Sequence, residues 1–247
     1  MRVLLLAGTV EAATLARLLV DEPGVEVLSS LAGHTPMPPD WPGPLRTGGF
    51  GGVDGLVDTL RSGHFDAVVD ATHPFSATMP ANAEQAARVA GVAHLRLVRP
   101  AWTPAPGDRW HEVADIETAV QQLQALDSRC ALITIGRLEL GAFSEVRAPR
   151  LVVRTITPPD PAMLPAGTAL VTARGPFRED DEVTLLRTYG VDVLVTKNSG
   201  GDDAKLRAAR RVGATVLMVQ RPSTGTAGAT TAPAARAWLL GRSRVRA

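Results

Sequence analysis

The segment Leu6-Ala7-Gly8-Thr9-Val10-Glu11-Ala12 joins an apolar run to a helical pattern. Gly8 lets the backbone turn and come close to a ligand. The Thr9 hydroxyl either caps the helix or binds a phosphate oxygen. Val10 and Glu11 follow at the helix start, where free N–H groups and the helix dipole favour an anion. Only one Gly stands in this turn, so the full G-x-G-x-x-G dinucleotide fingerprint is absent. The next apolar run ends in Ser29-Ser30-Leu31-Ala32-Gly33-His34. In dinucleotide folds an acidic residue at that place bonds the ribose 2′-hydroxyl of NAD. Ser29 and Ser30 stand there instead; their hydroxyls and backbone donors suit a 2′-phosphate, which favours NADP. His34 reads as a solvated loop residue.

A third segment, Asp70-Ala71-Thr72-His73-Pro74-Phe75-Ser76, again joins an apolar run to a helical pattern. Thr72 and Ser76 offer hydroxyls at the strand end. Pro74 holds His73 extended and starts the next helix. His73, beside Phe75, is either a general acid or a packing residue of the site wall. The second half has comparable loops, rich in Gly and cations: Thr134-Ile135-Gly136-Arg137, Thr172-Ala173-Arg174-Gly175-Pro176-Phe177-Arg178 and Thr196-Lys197-Asn198-Ser199-Gly200-Gly201. Lys197 directly follows a buried run. Ser199, Gly200 and Gly201 are expected to open a helix, a second anion-binding geometry. Arg137, Arg174, Arg178 and Lys197 together supply a local positive region.

Short runs of Val, Leu, Ile and Ala alternate with helical periodicity along the whole chain. Continuous apolar runs suit strands covered on both faces, as in parallel sheets. The runs predict strands near Val3–Ala7, Val25–Ser29, Leu45–Thr47, Val68–Ala71 and Ala93–Val98, with helices near Glu11–Val20, Val53–Arg61 and Ala77–Ala90. Pro100, Pro104, Pro106 and Gly107 then break the pattern. Beyond them, strands are expected near Leu132–Ile135, Leu151–Arg154, Ala169–Thr172, Val193–Thr196 and Val216–Val219. Helices are expected near Ile116–Ala125, Glu179–Thr188, Asp203–Arg211 and Ala232–Leu240. Strands alternating with helices predict parallel sheets with right-handed crossovers. The stretch from Gly91 to Arg99-Pro100 matches that from Gly213 to Arg221-Pro222, and Asp66-Ala67-Val68-Val69 matches Asp192-Val193-Leu194-Val195. The two halves therefore read as pseudo-equivalent lobes.

The expected fold is α/β, with two lobes, each a mostly parallel Rossmann-like sheet flanked by helices, and a cleft between them. Residues 1–100 form the N-terminal cofactor-binding lobe, 101–112 a linker, and 113–247 the C-terminal lobe. The 247 residues suffice for two domains of ordinary size. Aromatics are only 4%, so the core rests on aliphatic side chains. A net charge of +1 gives no global field for nucleic acid or a membrane surface. The lone cysteine, Cys130, allows neither an internal disulfide nor a thiolate metal cluster, and it reads as a small buried residue. No apolar stretch approaches the roughly 20 residues that cross a bilayer, and the expected location is the cytoplasm.

Taken together, these motifs resemble the precorrin-6A reductase family of cobalamin biosynthesis. The match rests on Ala7-Gly8-Thr9-x-Glu11-Ala12, Asp70-Ala71-Thr72-His73-Pro74-Phe75, Arg99-Pro100, Gly136-Arg137, Gly175-Pro176-Phe177, Thr196-Lys197-Asn198-Ser199-Gly200 and Arg221-Pro222. The chain departs from many relatives in carrying Ala7 where they have a second Gly. The resemblance implies NADPH as cofactor and hydride transfer to precorrin-6A, an anionic tetrapyrrole. The cofactor-binding set expected from residues and resemblance together is Gly8, Thr9, Val10, Glu11, Ser29, Ser30, Thr72, His73, Pro74, Phe75, Gly136, Arg137, Arg174, Gly175, Thr196, Lys197, Ser199 and Gly200. Lys197, His73 or water delivers the proton, and no metal is expected. Other readings of two such lobes are a nucleotide- or phosphosugar-using transferase and a non-catalytic nucleotide sensor.

Overall fold

The computed structural model describes residues 1–33, 40–147, 149–223 and 228–243. His34 lies outside them. The chain divides into two compact units, Met1–Pro100 with Pro222–Ala247, and Ala101–Arg221.

In the first unit the order is β1 (Arg2–Leu6), α1 (Val10–Val20), β2 (Glu26–Leu31), β3 (Leu45–Thr47), α2 (Gly52–Ser62), β4 (Ala67–Asp70), α3 (Met79–Ala90) and β5 (Ala93–Arg96). The sheet runs β3-β2-β1-β4-β5 and every pairing is parallel. Alternate side chains of β1 serve opposite faces, as a strand's two-residue period requires. Val3 and Leu5 pack with Leu15 and Leu19 of α1, whereas Leu4 and Leu6 pack with Leu56 and Leu60 of α2 and Ala83 of α3. All four β1 side chains are at most 2% exposed. Each such burial contributes about 1.5–3 kcal/mol, so the strand that aims the Gly8 turn is firmly held.

In the second unit come β6 (Trp110–Val113), α4 (Ile116–Ala125), β7 (Cys130–Thr134), a 3-10 segment (Arg137–Phe143), β8 (Arg150–Thr155), β9 (Ala169–Thr172), α5 (Glu179–Tyr189), β10 (Val193–Lys197), α6 (Ala204–Val212) and β11 (Thr215–Val219). This sheet runs β6-β11-β10-β7-β8-β9, again all parallel. Without β6, its order β9-β8-β7-β10-β11 is that of the first sheet. The internal match in the sequence therefore reflects a repeated fold. Asp66 and Asp192 do the same work in each copy: Asp66 accepts from the Arg2 backbone at the start of β1, and Asp192 from the Cys130 backbone at the start of β7. Gly91 and Gly213 end α3 and α6 in the left-handed conformation, at φ 72° and 73°.

Three expectations are corrected. Residues 101–112 are not a free linker, because Trp110–Val113 adds an edge strand to the second sheet. The last helix, α7 (Ala232–Ser243), belongs with the first unit, since Ala232, Ala235 and Leu239 bury against α1. The Arg-Pro pairs at 99–100 and 221–222 mark the two places where the chain passes from one unit to the other. Finally, Pro74 does not open α3. It is buried in a turn in which the Ser76 N–H bonds the His73 carbonyl, and the helix starts at Met79 with Pro80 in its first turn.

Candidate functional site

In the first sheet the chain reverses its direction of winding between β1 and β4, which are neighbours. Ligands of open α/β sheets bind outside the carboxyl ends of the strands at such a switch point. Two expected loops meet there. A Cβ on Gly8 would lie 3.8 Å from the His73 amide nitrogen and 3.9 Å from the Thr72 Cα, so the β1 and β4 loops touch at the glycine. Thr9 is the N-cap of α1: its hydroxyl accepts from the Ala12 amide (3.2 Å) and donates to the Ala71 carbonyl (2.9 Å). It caps the helix and ties the two loops together. Val10 is 73% exposed at the first turn. Glu11 is bound to Arg99 at 2.9 Å.

The β4 loop is shaped by a buried carboxylate. Asp70 Oδ1 accepts from both the amide and the hydroxyl of Thr72, and the other oxygen faces Arg96 at 3.6 Å. The Phe75 amide donates to His73 Nδ1 (3.2 Å), which places the proton of a neutral imidazole on Nε2. The rings of His73 and Phe75 are 5.9 Å apart. On β5, His94 is half-buried; burial pushes it below the ordinary histidine range, while Asp70 and Glu84 pull it back up.

Ser29 and Ser30 precede Leu31, the last residue of β2, and point to opposite sheet faces, following Val27 and Leu28 respectively. Ser29 Oγ is buried with no hydrogen-bond partner among the described residues. Ser30 Oγ accepts from Arg46 Nη1 at 2.8 Å, across the β2–β3 pairing. Arg46 was invisible to motif reading because β3 is three residues long and bears no motif.

In the second sheet the equivalent switch point lies between β7 and β10. Gly136 turns the chain there at φ 92°, ψ 168°, a conformation that only glycine adopts readily. Arg137 opens the following 3-10 segment. Thr196 pairs in register with Thr134 and is fully buried, its hydroxyl without a hydrogen-bond partner among the described residues. Lys197 ends β10 and forms an ion pair with Glu139 of the 3-10 segment. Glu139 is a site residue that sequence reading missed; three residues after Gly136, it had no motif of its own.

The Ser199–Gly200 loop serves a different end from the one expected. It does not open a helix. The first turn of α6 begins at Ala204, and Asp202 accepts the Ala204 amide, so a carboxylate already occupies that helix start. Asn198 instead pins the incoming chain: its side chain exchanges two hydrogen bonds with the Trp102 backbone, and the Trp102 indole donates to the Gly201 carbonyl. Gly200 adopts φ 69° to complete the turn. Arg174 and Gly175 follow β9, at the sheet edge, and three strand spacings separate β9 from β10. At about 4.8 Å per strand that is roughly 14 Å. Gly136, Arg137, Glu139, Thr196 and Lys197 thus follow or end the strands of the switch point, whereas Arg174 and Gly175 follow the edge strand.

Two parallel sheets of the dinucleotide-binding order, with a capped glycine turn at the switch point of the first, define a Rossmann-like α/β protein. The model of the precorrin-6x reductase CbiJ/CobK family matches residues 2–240. The chain belongs to that family of reductases. It is 50% identical over 223 residues to a precorrin-6A reductase of Rhodococcus erythropolis, covering 90% of this chain and 89% of that one. It is 45% identical over 244 residues to a precorrin-6A reductase of Mycobacterium tuberculosis, covering 97% and 98%. The solved structure of a CobK precorrin-6A reductase superposes with a TM-score of 0.89 at 39% identity, covering 98% of this chain and 96% of that one. No helix among the described residues is long and apolar enough to cross a membrane.

Proposed function

We propose that the protein is an NADPH-dependent precorrin-6A reductase of cobalamin biosynthesis, working in the cytoplasm on an anionic tetrapyrrole. The observation that carries this reading is the pairing of family membership with the switch-point geometry of the first unit, where Gly8, Thr9 and Thr72–Phe75 converge. The residues present fit a dinucleotide. The N-terminus of α1 favours an anion through its dipole, with Thr9 capping the Ala12 amide and the exposed Val10 beside it. At the end of β2, hydroxyl and guanidinium groups stand in place of a carboxylate, which suits a 2′-phosphate.

Gly8, Thr9, Val10 and Glu11 form the phosphate turn, with Thr9 fixing its shape and Glu11 held aside by Arg99. Thr72, His73, Pro74 and Phe75 form the opposing wall, held by Asp70. In the second unit Gly136, Arg137, Thr196 and Lys197 stand at the switch point of the sheet. Their cations bind substrate carboxylates by charge-assisted hydrogen bonds. Bound NADPH supplies the hydride, and the protein supplies position and electrostatics. The proton comes from Lys197, from His73 Nε2 or from water.

Fluorescence titration of the protein with NADPH and NADH tests the cofactor assignment. Tighter binding of NADPH is expected; equal affinity for the two would remove the β2 end from the role given to it.

A further inference from the structure

Arg46 has only neutral partners among the described residues. It donates to Ser30 Oγ at 2.8 Å and to the Gly49 carbonyl at 3.0 Å, and its guanidinium carbon lies 4.1 Å from the centre of the Phe50 ring. No carboxylate among the described residues forms an ion pair with it. A guanidinium has five N–H donors, so several remain for a ligand. Around it the Thr47–Gly52 loop is bare: a Cβ added at Gly48, Gly49, Gly51 or Gly52 would meet nothing within 4 Å. The loop is nevertheless fixed. A Cβ on Gly55 would lie 1.8 Å from the Phe50 carbonyl oxygen, so the loop sits directly on the first turn of α2 and sets the Phe50 ring against Arg46.

The repeated fold supplies a control within the same chain. In the second unit β8 and β9 take the places of β2 and β3, and α5 that of α2. Phe177 stands two residues before α5, as Phe50 stands two residues before α2. Here too an arginine lies on the ring, although it comes from β8, at the place of Ser30, and Val171 stands at the place of Arg46: Arg154 is 4.1 Å from the centre of Phe177. Yet this arginine is neutralised. Glu182, from the first turn of α5, forms an ion pair with it, and both side chains are buried, at 6% and 3% exposure. One copy leaves its guanidinium charge uncompensated at the ribose end of a dinucleotide site. The other fills the place with its own carboxylate.

We propose that Arg46, braced by Ser30 and Phe50, is the residue that selects NADPH by its 2′-phosphate, and that Glu182 closes the corresponding place in the second unit, so that each chain takes one dinucleotide. The inference rests on the proposed function and extends it to a specificity-determining residue. An arginine near the end of the second strand is the group that accommodates a 2′-phosphate in this class of sheet. A bidentate guanidinium contact to phosphate is charge-assisted and directional.

Calorimetric titration of the full chain with 2′,5′-ADP and with 5′-AMP tests it without turnover. The wild type should bind 2′,5′-ADP more tightly than 5′-AMP, at one site per chain. Arg46→Ala should weaken 2′,5′-ADP by about 10- to 100-fold and leave 5′-AMP unchanged. Equal weakening of both ligands would make Arg46 a structural brace and overturn the assignment. Two sites per chain would overturn the role of Glu182. Should Arg46→Ala fail to fold, Arg46→Lys carries the test, since it keeps the charge but loses the fork. A partial loss confined to 2′,5′-ADP supports the proposal, and unchanged discrimination refutes it. A wild type that binds neither 2′,5′-ADP nor NADPH would instead sink the proposed function, which separates the two failures.

Discussion

Replacing Thr9 by Val keeps the shape of the side chain and removes its hydroxyl. Two bonds disappear with it, the cap on the Ala12 amide and the link to the Ala71 carbonyl. Loss of an N-cap costs about 1 kcal/mol. The Ala71 carbonyl belongs to a residue with 0% exposure, and a buried acceptor left without its donor costs about 1–3 kcal/mol. The expected loss is therefore at least about 2 kcal/mol, confined to the first unit. Amides there that exchange through unfolding should exchange at least about 30-fold faster. Hydrogen exchange read peptide by peptide resolves the units: peptides from Met1–Pro100 should lose protection, while those from Ala101–Arg221 should not. Thr9→Ser, which retains both bonds, should recover most of it. NADPH binding should weaken in Thr9→Val, because the β1 and β4 loops are no longer tied. Protection in Thr9→Val within about threefold of the wild type would show that the hydroxyl does not hold the loops, and the argument built on it would fail.

Glu182→Met should destabilise the second unit by about 3–5 kcal/mol, because it leaves Arg154 buried and unpaired, and the double change Arg154→Met/Glu182→Met should recover much of that in urea titrations. Burial lowers the His94 pKa from its ordinary value of 6.5, against the pull of Asp70 and Glu84. The unfolded chain therefore binds a proton there that the folded unit resists. Its stability contribution is complete above the unfolded pKa and is lost as pH falls through the depressed folded value. His94→Leu should flatten the decline in urea midpoint between about pH 7 and pH 5, and an unchanged decline would exclude His94 as its source. Lys197→Ala should lower kcat by about 100-fold or more if Lys197 gives the proton, or raise KM with kcat little changed if it grips a substrate carboxylate; unaltered kinetics would remove it from the site.

The strands were legible because strands covered on both faces leave continuous apolar runs, as Val193–Lys197 and Val3–Leu6 show. Even the weak three-residue run Leu45–Thr47 is a strand. Strand β6 was missed because Trp-His-Glu-Val is mixed in polarity and lies at a sheet edge beside the prolines of 100–106. Helix α7 was read correctly as an element but placed in the wrong unit. Periodicity reveals an apolar face without saying which sheet receives it. The loops at the switch points were legible for their glycines, hydroxyls and prolines. Their internal partners were not. Glu139, Arg46 and Glu182 reach the ends of strands from segments with no motif, and only the strand order brings them there. The helix expected from Ser199 fails for a local reason: Asn198 and the following glycines are committed to holding Trp102, and the helix begins after Asp203.

The proposed reaction is a hydride transfer from NADPH to precorrin-6A. The direct measurement uses NADPH deuterated at the transferable position of its nicotinamide, incubated with precorrin-6A and the purified protein, with the product read by mass spectrometry. The expected result is a dihydro product that carries one deuterium from the cofactor and one hydrogen from solvent. Reduced product without the label, or labelled NADPH left unoxidised beside intact precorrin-6A, would contradict it.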